Sequence, residues 1–373
     1  MAIKIIHIVL GKANPNKMNG INKVVNELAT AQTKLGYEVT VWGITNSMRH
    51  NYPPRNYETR LFQNSGRFRQ PTGFKHALST LPVQTIFHIH GGFVPQFYFV
   101  AKLLLKEGFQ YVYTPHGAYN AVALQRSKFK KLFFLKTFDK FLMKYAKRVH
   151  FIGQSEVDNG LKLFGTIPYS LIPNGQVPLS QPLNDFSQIE KTKPVFGFMG
   201  RIDIKTKGLD LLLEGFSKYV NNEHGKGDLW IIGSGEELAV LKSLARNLGI
   251  EDRIKFKGSL FGEAKKMALT EVNIFCLTSR NEGLPGVVLE ASSFGIPSIV
   301  SSETNMATYI NNFSAGWVLK TNAPNEITRA LVAAEKVYYS DDFKQWQKQA
   351  YKMVTEKFNW ANISKEHIIA YAT

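Results

Sequence analysis

Short, almost wholly apolar runs recur along the chain, each followed by a stretch of helical period, and this alternation limits the fold more than any other feature. "IKIIHIVL" at 3–10 reads as a strand buried on both faces, "NKVVNELATAQTKLG" as a helix stopped by Gly36, and "EVTVWGI" as the next strand. "TIFHIHG" and "YVYTPHG" are further strands that end in loops. A second series starts near residue 194: "PVFGFMG", a helix over about 207–221, "DLWIIGSG", a helix over about 236–248, then "RIKFKG", "VNIFCLTS" and "PSIVSS". Strands that are apolar throughout belong to parallel sheets covered by helices on both faces. Two such series predict an α/β chain of two doubly wound, Rossmann-like domains, and 373 residues is more than one core ordinarily holds. The polar stretch "GQVPLSQPLNDFSQIEKTKP" separates them, giving an expected division into 1–178, a linker over 179–193, and 194–356.

Charge divides along the same line. Residues 1–180 hold 23 Lys+Arg against 7 Asp+Glu, and residues 181–373 hold 23 against 22, so the first half carries nearly all of the net +17. Such a field suits an anionic neighbour: nucleic acid, an acidic lipid surface or a phosphorylated substrate. The apolar start reads as a buried first strand rather than a signal peptide, since no small-residue cleavage site follows it. One cysteine, Cys276, allows no internal disulfide, which fits a cytoplasmic setting.

Ligands of open parallel sheets bind outside the carboxyl ends of the strands. Here those ends are rich in glycine, histidine and charge: His90-Gly91-Gly92, His116-Gly117, Gly200-Arg201, Gly233-Ser234-Gly235, Gly258 and Asn281-Glu282-Gly283. Two facing domains would place these edges along a cleft. In "RNEGLPGVVLEASSFG" (280–295), Glu282 falls in the loop after a strand, Pro285 suits a helix first turn, and Glu290 lies within the helix that Gly295 ends. A helix start offers free amides and a partial positive charge, Gly283 and Gly286 allow close approach, and carboxylates accept paired hydrogen bonds from vicinal sugar hydroxyls. In "MGRIDIKTKGLDLLLEGF" (199–216), Arg201 after a strand and Lys207 before Gly208 offer the two cations that a diphosphate needs.

Together, the Glu-x7-Glu of "EGLPGVVLEA", the segment "GRIDIKTKG", "LWIIGSGEE", "TPHG" and "IPNG", in this order and spacing, resemble glycosyltransferase family 4. The resemblance covers nearly the whole chain. It implies a retaining, nucleotide-sugar-dependent enzyme of the GT-B fold, whose final helix, here about 357–373, crosses back to the first domain. By the same resemblance Arg201 and Lys207 neutralise the donor diphosphate. Glu282 contacts the donor sugar beside Gly283, Leu284, Pro285 and Gly286, and Glu290 binds the ribose. Gly258, Leu260 and Phe261 lie by the base, and His116 reaches the reacting sugar. Gly20 belongs to the glycine-rich first loop, where the family's Gly-Gly is here Asn19-Gly20. The implied reaction moves a hexose from a UDP-sugar, UDP-glucose first, to a saccharide or lipid-linked acceptor in surface polysaccharide synthesis. GDP-mannose transfer and UDP-sugar epimerisation are the alternatives.

The same residues weigh against other chemistries. There is no Asp-x-Asp to hold magnesium or manganese, and His88 and His90 of "HIHGG" lack further evident zinc ligands, so no metal and no cofactor is expected. A glycoside hydrolase would not need Arg201 and Lys207, and no nucleic-acid recognition motif appears, so nucleic acid is not an expected partner. His90 is expected on the acceptor side and His88 in the core. "RSKFKKLFFLKTFDKFLMKYAKR" (126–148) holds nine basic residues and one acid among aromatic and aliphatic ones. Read as a helix, it either lies on the cytoplasmic face of an anionic membrane, through Lys128, Lys130, Lys131, Lys136 and Lys140, or packs Phe133, Phe134, Phe138, Phe141 and Leu142 inward.

Overall fold

The computed structural model describes residues 4–15, 20–50, 52–119, 133–178 and 193–373. The chain divides into two units, Met1–Gly175 with Trp360–Thr373, and Gln176–Asn359.

The first unit holds seven strands: β1 (Lys4–Leu10), β2 (Glu38–Thr45), β3 (Glu58–Gln63), β4 (Ile86–His90), β5 (Tyr111–Thr114), β6 (Arg148–Phe151) and β7 (Tyr169–Leu171). They form one parallel sheet in the order β3-β2-β1-β4-β5-β6-β7. The winding reverses between β1 and β4, the switch point at which ligands of such sheets bind. Register pairs His7 with His88, Val9 with His90, and His90 with Thr114. Paired residues of parallel strands share a face and alternate along it. One face therefore carries Ile6, Ile8, Phe87, Ile89, Tyr111 and Tyr113, which pack on Phe97, Val100 and Leu104 of the helix Pro95–Lys106. The other carries Ile5, His7, Val9, His88, His90, Thr114 and His150. Two helices cover it, Gly20–Lys34 and Trp360–Ala372, which meet through Leu28, Ala31, Trp360 and Ile363.

The second unit repeats the plan with β8 (Val195–Met199), β9 (Asp228–Ile232), β10 (Ile254–Gly258), β11 (Ile274–Leu277), β12 (Ser298–Val300) and β13 (Gly316–Val318), parallel in the order β10-β9-β8-β11-β12-β13. Its core joins Phe196, Phe198, Ile231, Phe275 and Ile299 to residues of the helices Leu209–Asn221 and Pro324–Tyr339. Its switch point lies between β8 and β11.

Three differences from the sequence reading have local causes. Strands β3, β7 and β13 lie at sheet edges, where only Phe62 of β3 and no residue of β7 or β13 is buried, so no apolar run marks them. The helix expected over 207–221 is two. Asp203 caps a single turn, Ile204–Lys207, by accepting from the Thr206 amide, and Gly208 ends it in the left-handed conformation (φ 64°). A Cβ there would stand 1.9 Å from the Thr278 carbonyl oxygen, so only glycine fits. The basic run is helical over its described part except at the end: residues 133–145 form one continuous helix with a π-turn at Leu135–Asp139, the helix stops at Tyr145, and Arg148 already begins β6. Leu135, Leu142 and Met143 are buried and Lys136 and Lys140 exposed. Phe133 is 60% exposed, and Phe138 is half-buried beside Tyr98 and Phe134, so the aromatic rings do not all pack inward. Lys128, Lys130, Lys131 and nearly all of the linker lie outside the described residues. Among the described residues no helix is long and apolar enough to cross a membrane.

Candidate functional site

In the second unit the loops after β8 and β11 are tied together before any side chain points outward. The Arg280 amide donates to the Thr206 carbonyl at 2.9 Å, and its guanidinium donates to the Lys205 carbonyl and to both carboxylate oxygens of Asp210, each at 2.8 Å. This bidentate grip raises the Arg280 pKa further and fixes the planar fork. The Thr278 hydroxyl donates to the Gly208 carbonyl at 3.0 Å. With the turn Ile204–Lys207 held against the β11 loop, the Lys207 Nζ meets Glu282 Oε1 at 2.6 Å, with side chains only 20% and 15% exposed. Ser279 Oγ donates to the same oxygen at 2.8 Å. Behind them, Asn305 Nδ2 donates to the carbonyls of Glu282 and Gly283, and the Glu282 amide donates to the Glu303 carbonyl. The amides of Gly283 and Leu284 take no partner among the described residues and stay available to a ligand.

Arg201 stands differently. Its side chain is 64% exposed and pairs with Asp203 at 3.0 Å. The cation of this pair lies in water, where such a bond is worth under about 1 kcal/mol, and Asp203 keeps the Thr206 amide as a partner, so Arg201 can exchange Asp203 for a phosphate at little cost. Pro285 is the residue before the helix Gly286–Ser293 rather than its first. Glu290, on that helix, pairs with Lys265 on the helix Gly262–Thr270. Gly258 closes β10 in the left-handed region (φ 67°), and the following loop through Leu260 leaves Phe261 60% exposed ahead of that helix. Arg201, Lys207, Glu282 and Gly283–Gly286 thus gather at the β8/β11 switch. Glu290 joins the loop at 258–261 through Lys265. The supporting residues Lys265, Ser279, Arg280 and Asn305 carry no motif signal; each is recognisable only once the strands are placed.

In the first unit Gly20 is the first residue of the helix Gly20–Lys34. The loop after β1 is held by Asn22 of this helix, whose Oδ1 accepts from the amides of Lys12 at 3.1 Å and Ala13 at 2.6 Å. His116 follows β5 with a positive φ of 55°. His90 is not on the surface. It is 2% exposed, with Nε2 bonded to His7 and Nδ1 to His116, so it stands behind His116. His7, His88 and His90 bring ring nitrogens within 4.8 Å of one another, but each nitrogen of the three already has a hydrogen-bond partner, so a bound cation would have to break those bonds.

Sequence profiles cover both units. The profile "Glycosyltransferase Family 4" matches residues 18–176, and "Glycosyl transferases group 1" matches residues 181–353. The chain belongs to glycosyltransferase family 4. Among family relatives, an uncharacterized glycosyltransferase of Methanocaldococcus jannaschii is 30% identical over 176 residues, 47% of this chain and 43% of that one. A lipopolysaccharide 1,6-galactosyltransferase of Salmonella typhimurium is 34% identical over 116 residues, 30% of this chain and 31% of that one. The matched stretches thus span less than half of either relative. The Anabaena protein HepE, solved with UDP and glucose, superposes with a TM-score of 0.72 at 14% identity, covering 99% of each chain. That likeness, with the two strand orders, makes this family 4 chain a two-domain, Rossmann-like GT-B protein.

Proposed function

We propose that the protein is a metal-independent, retaining glycosyltransferase that moves a hexose from a UDP-sugar, with UDP-glucose favoured, to a saccharide or lipid-linked acceptor in surface polysaccharide or lipopolysaccharide synthesis. The observation that carries this reading is the Lys207–Glu282 pair, held at 2.6 Å at the β8/β11 switch beside unpartnered loop amides. Breaking an anomeric C–O bond leaves charge on the departing diphosphate. Lys207, Arg201 and the amides of Gly283 and Leu284 supply fixed positive potential where that charge grows. Glu282, its Oε1 fixed by Lys207 and Ser279, orients the sugar. In the retaining course the acceptor attacks from the face the leaving group vacates, and the leaving phosphate takes its proton. His116 accepts a hydrogen bond from a sugar hydroxyl. The polysaccharide setting is supported by the Salmonella relative, and the UDP donor by the ligands of HepE. The exposed Lys136 and Lys140 suit a peripheral place on the cytoplasmic face of an anionic membrane.

Calorimetric titration with UDP, GDP, ADP and their common hexose conjugates, in EDTA, is expected to show binding of the uridine series alone. Silence of every nucleotide would sink the reading, and a need for added metal would remove the metal-independent part. Turnover of a UDP-sugar without acceptor would point instead to epimerisation.

Glu290→Ala is expected to weaken UDP binding about tenfold or more, the worth of hydrogen bonds to a charged group. Transfer at saturating donor should change far less. Unchanged UDP affinity would show that Glu290 serves only to hold Lys265.

A further inference from the structure

The polar face of the first sheet has a direction. His150 Nε2 lies 3.1 Å from the Ile172 carbonyl, which can only accept, so Nε2 carries the proton and Nδ1 of the neutral ring does not. Nδ1 must then accept from the Thr114 hydroxyl at 3.1 Å, and Thr114 in turn accepts from His88 Nε2 at 2.6 Å. His88 Nδ1, now bare, accepts from the Tyr371 hydroxyl at 2.7 Å, and that oxygen accepts from Gln32 Nε2 at 3.3 Å. The Gln32 oxygen accepts from His7 Nε2 at 2.8 Å. His7 Nδ1 accepts from His90 Nε2 at 2.9 Å, and His90 Nδ1 from His116 Nε2 at 3.0 Å. Each step follows from the one before. The chain ends at His116 Nδ1, a bare lone pair that is buried and has no partner among the described residues.

Burial keeps these rings neutral: His7 is lowered to about 4, His116 and His150 to about 3, and His88 and His90 well below their ordinary value. His367 packs edge-on against His150 at 4.1 Å between ring centres but takes no place in the chain. A buried polar atom left without a partner costs free energy, and the one orphan that the chain leaves at His116 is an acceptor.

We propose that this run of hydrogen bonds, anchored at the Ile172 carbonyl, fixes His116 as its Nε2–H tautomer, so that it meets the substrate as an acceptor only and selects a hydroxyl donor there. The hydroxyl contact rests on the transferase reading above; the tautomer does not. Thr114, Tyr371, Gln32, His7 and His90 are then positioning residues, acting on the substrate through the proton they place on His116. Tyr371 makes the C-terminal helix Trp360–Ala372 part of this machinery.

The test is tautomer-sensitive ¹H–¹⁵N correlation NMR on the full chain, labelled at histidine nitrogen and free of ligand near pH 7.5, with the His116 signals assigned by their loss in His116→Gln. The expected spectrum shows His116 protonated at Nε2 and bare at Nδ1. An Nδ1–H tautomer or an imidazolium would overturn the proposal. Thr114→Val removes the acceptor from His88 Nε2. Reversing every link upstream avoids burying an N–H against a methyl group, so His116 should switch to Nδ1–H and kcat/KM for transfer should fall about tenfold, the loss of one neutral hydrogen bond. Thr114→Ser, which keeps the hydroxyl, should keep the native tautomer. An unchanged His116 spectrum in Thr114→Val would overturn the anchoring at Ile172. A fixed Nε2–H tautomer together with full transfer by His116→Ala would overturn the substrate contact alone.

Discussion

Replacing Lys207 with alanine is expected to slow sugar transfer by roughly 10²–10³-fold while UDP affinity falls much less, because a fixed donor aimed at developing charge counts most in the transition state. The geometry makes Lys207 such a donor. Its turn is closed by Gly208 and tied to the next loop through Arg280, so the ammonium has little freedom to lose when a diphosphate arrives. Arg201→Ala should cost less, about tenfold, since its exposed side chain must first be ordered. Removing Lys207 also leaves the Glu282 carboxylate, with a side chain 15% exposed, held among the described residues by Ser279. The two residues should therefore act as a unit: Glu282→Ala added to Lys207→Ala should cost far less than the two single losses combined. Single-turnover transfer and calorimetric UDP binding on the four proteins of that cycle decide the matter. A Lys207→Ala enzyme that transfers at the normal rate would make Lys207 merely a structural partner of Glu282.

The sequence shows these residues because Arg201 and Glu282 lie in loops that follow strands and Lys207 lies just before the glycine that opens the next helix, and strands buried on both faces announce themselves as unbroken apolar runs. Glu282, Lys207 and Arg201 are legible for that reason, and the Glu-x7-Glu spacing adds a family signature to the position. Partners brought in from elsewhere are not legible. Arg280 and Asp210 are 70 positions apart, and Lys265 reaches Glu290 across 25, so nothing local links them. The edge strands β3, β7 and β13 escape because one polar side and a missing neighbour remove the apolar run that marks an interior strand, while β10, at the fourth edge, still shows in the alternation of "RIKFKG". The histidine chain lies between these cases. "HIH" in β4 shows that alternate residues share a polar face, and His7 in β1 and His150 in β6 repeat the hint. Their joining needs the register of four strands and two helices, Gly20–Lys34 with Gln32 and one that begins at residue 360. His90, expected on the acceptor side, stands one ring back from the loop, because its strand end is covered by His116 from the next loop.

Lowering the pH from 7 to 5.5 should reduce the melting temperature of the first unit by about 10 °C and leave that of the second nearly where it was. His7, His88, His90, His150 and His367 are at most 5% exposed, and burial lowers the pKa of each, to about 4 for His7 and about 3 for His150. Unfolded, each binds a proton near 6.5. Below that pH the unfolded chain holds more protons than the folded one, so stability present above 6.5 is lost as pH falls toward the folded values. Between pH 7 and 5.5 each ring withdraws a little over 1 kcal/mol, and these five with His116, lowered to about 3 by the same burial, together about 7 kcal/mol. Asp139 and Glu156 work the other way. Burial pushes both up to about 7, so the folded unit takes up protons that the unfolded chain refuses until about pH 4, and stability is gained as pH drops through 7. They offset about 3 kcal/mol. The remaining loss of about 4 kcal/mol corresponds to about 10 °C for a unit of this size. All eight groups belong to the first unit, so calorimetry should resolve one transition that slides with pH and one that does not. A first transition indifferent to pH would mean that these rings are already charged in the folded state, and a charged ring with two donors cannot pass direction along the chain that ends at His116.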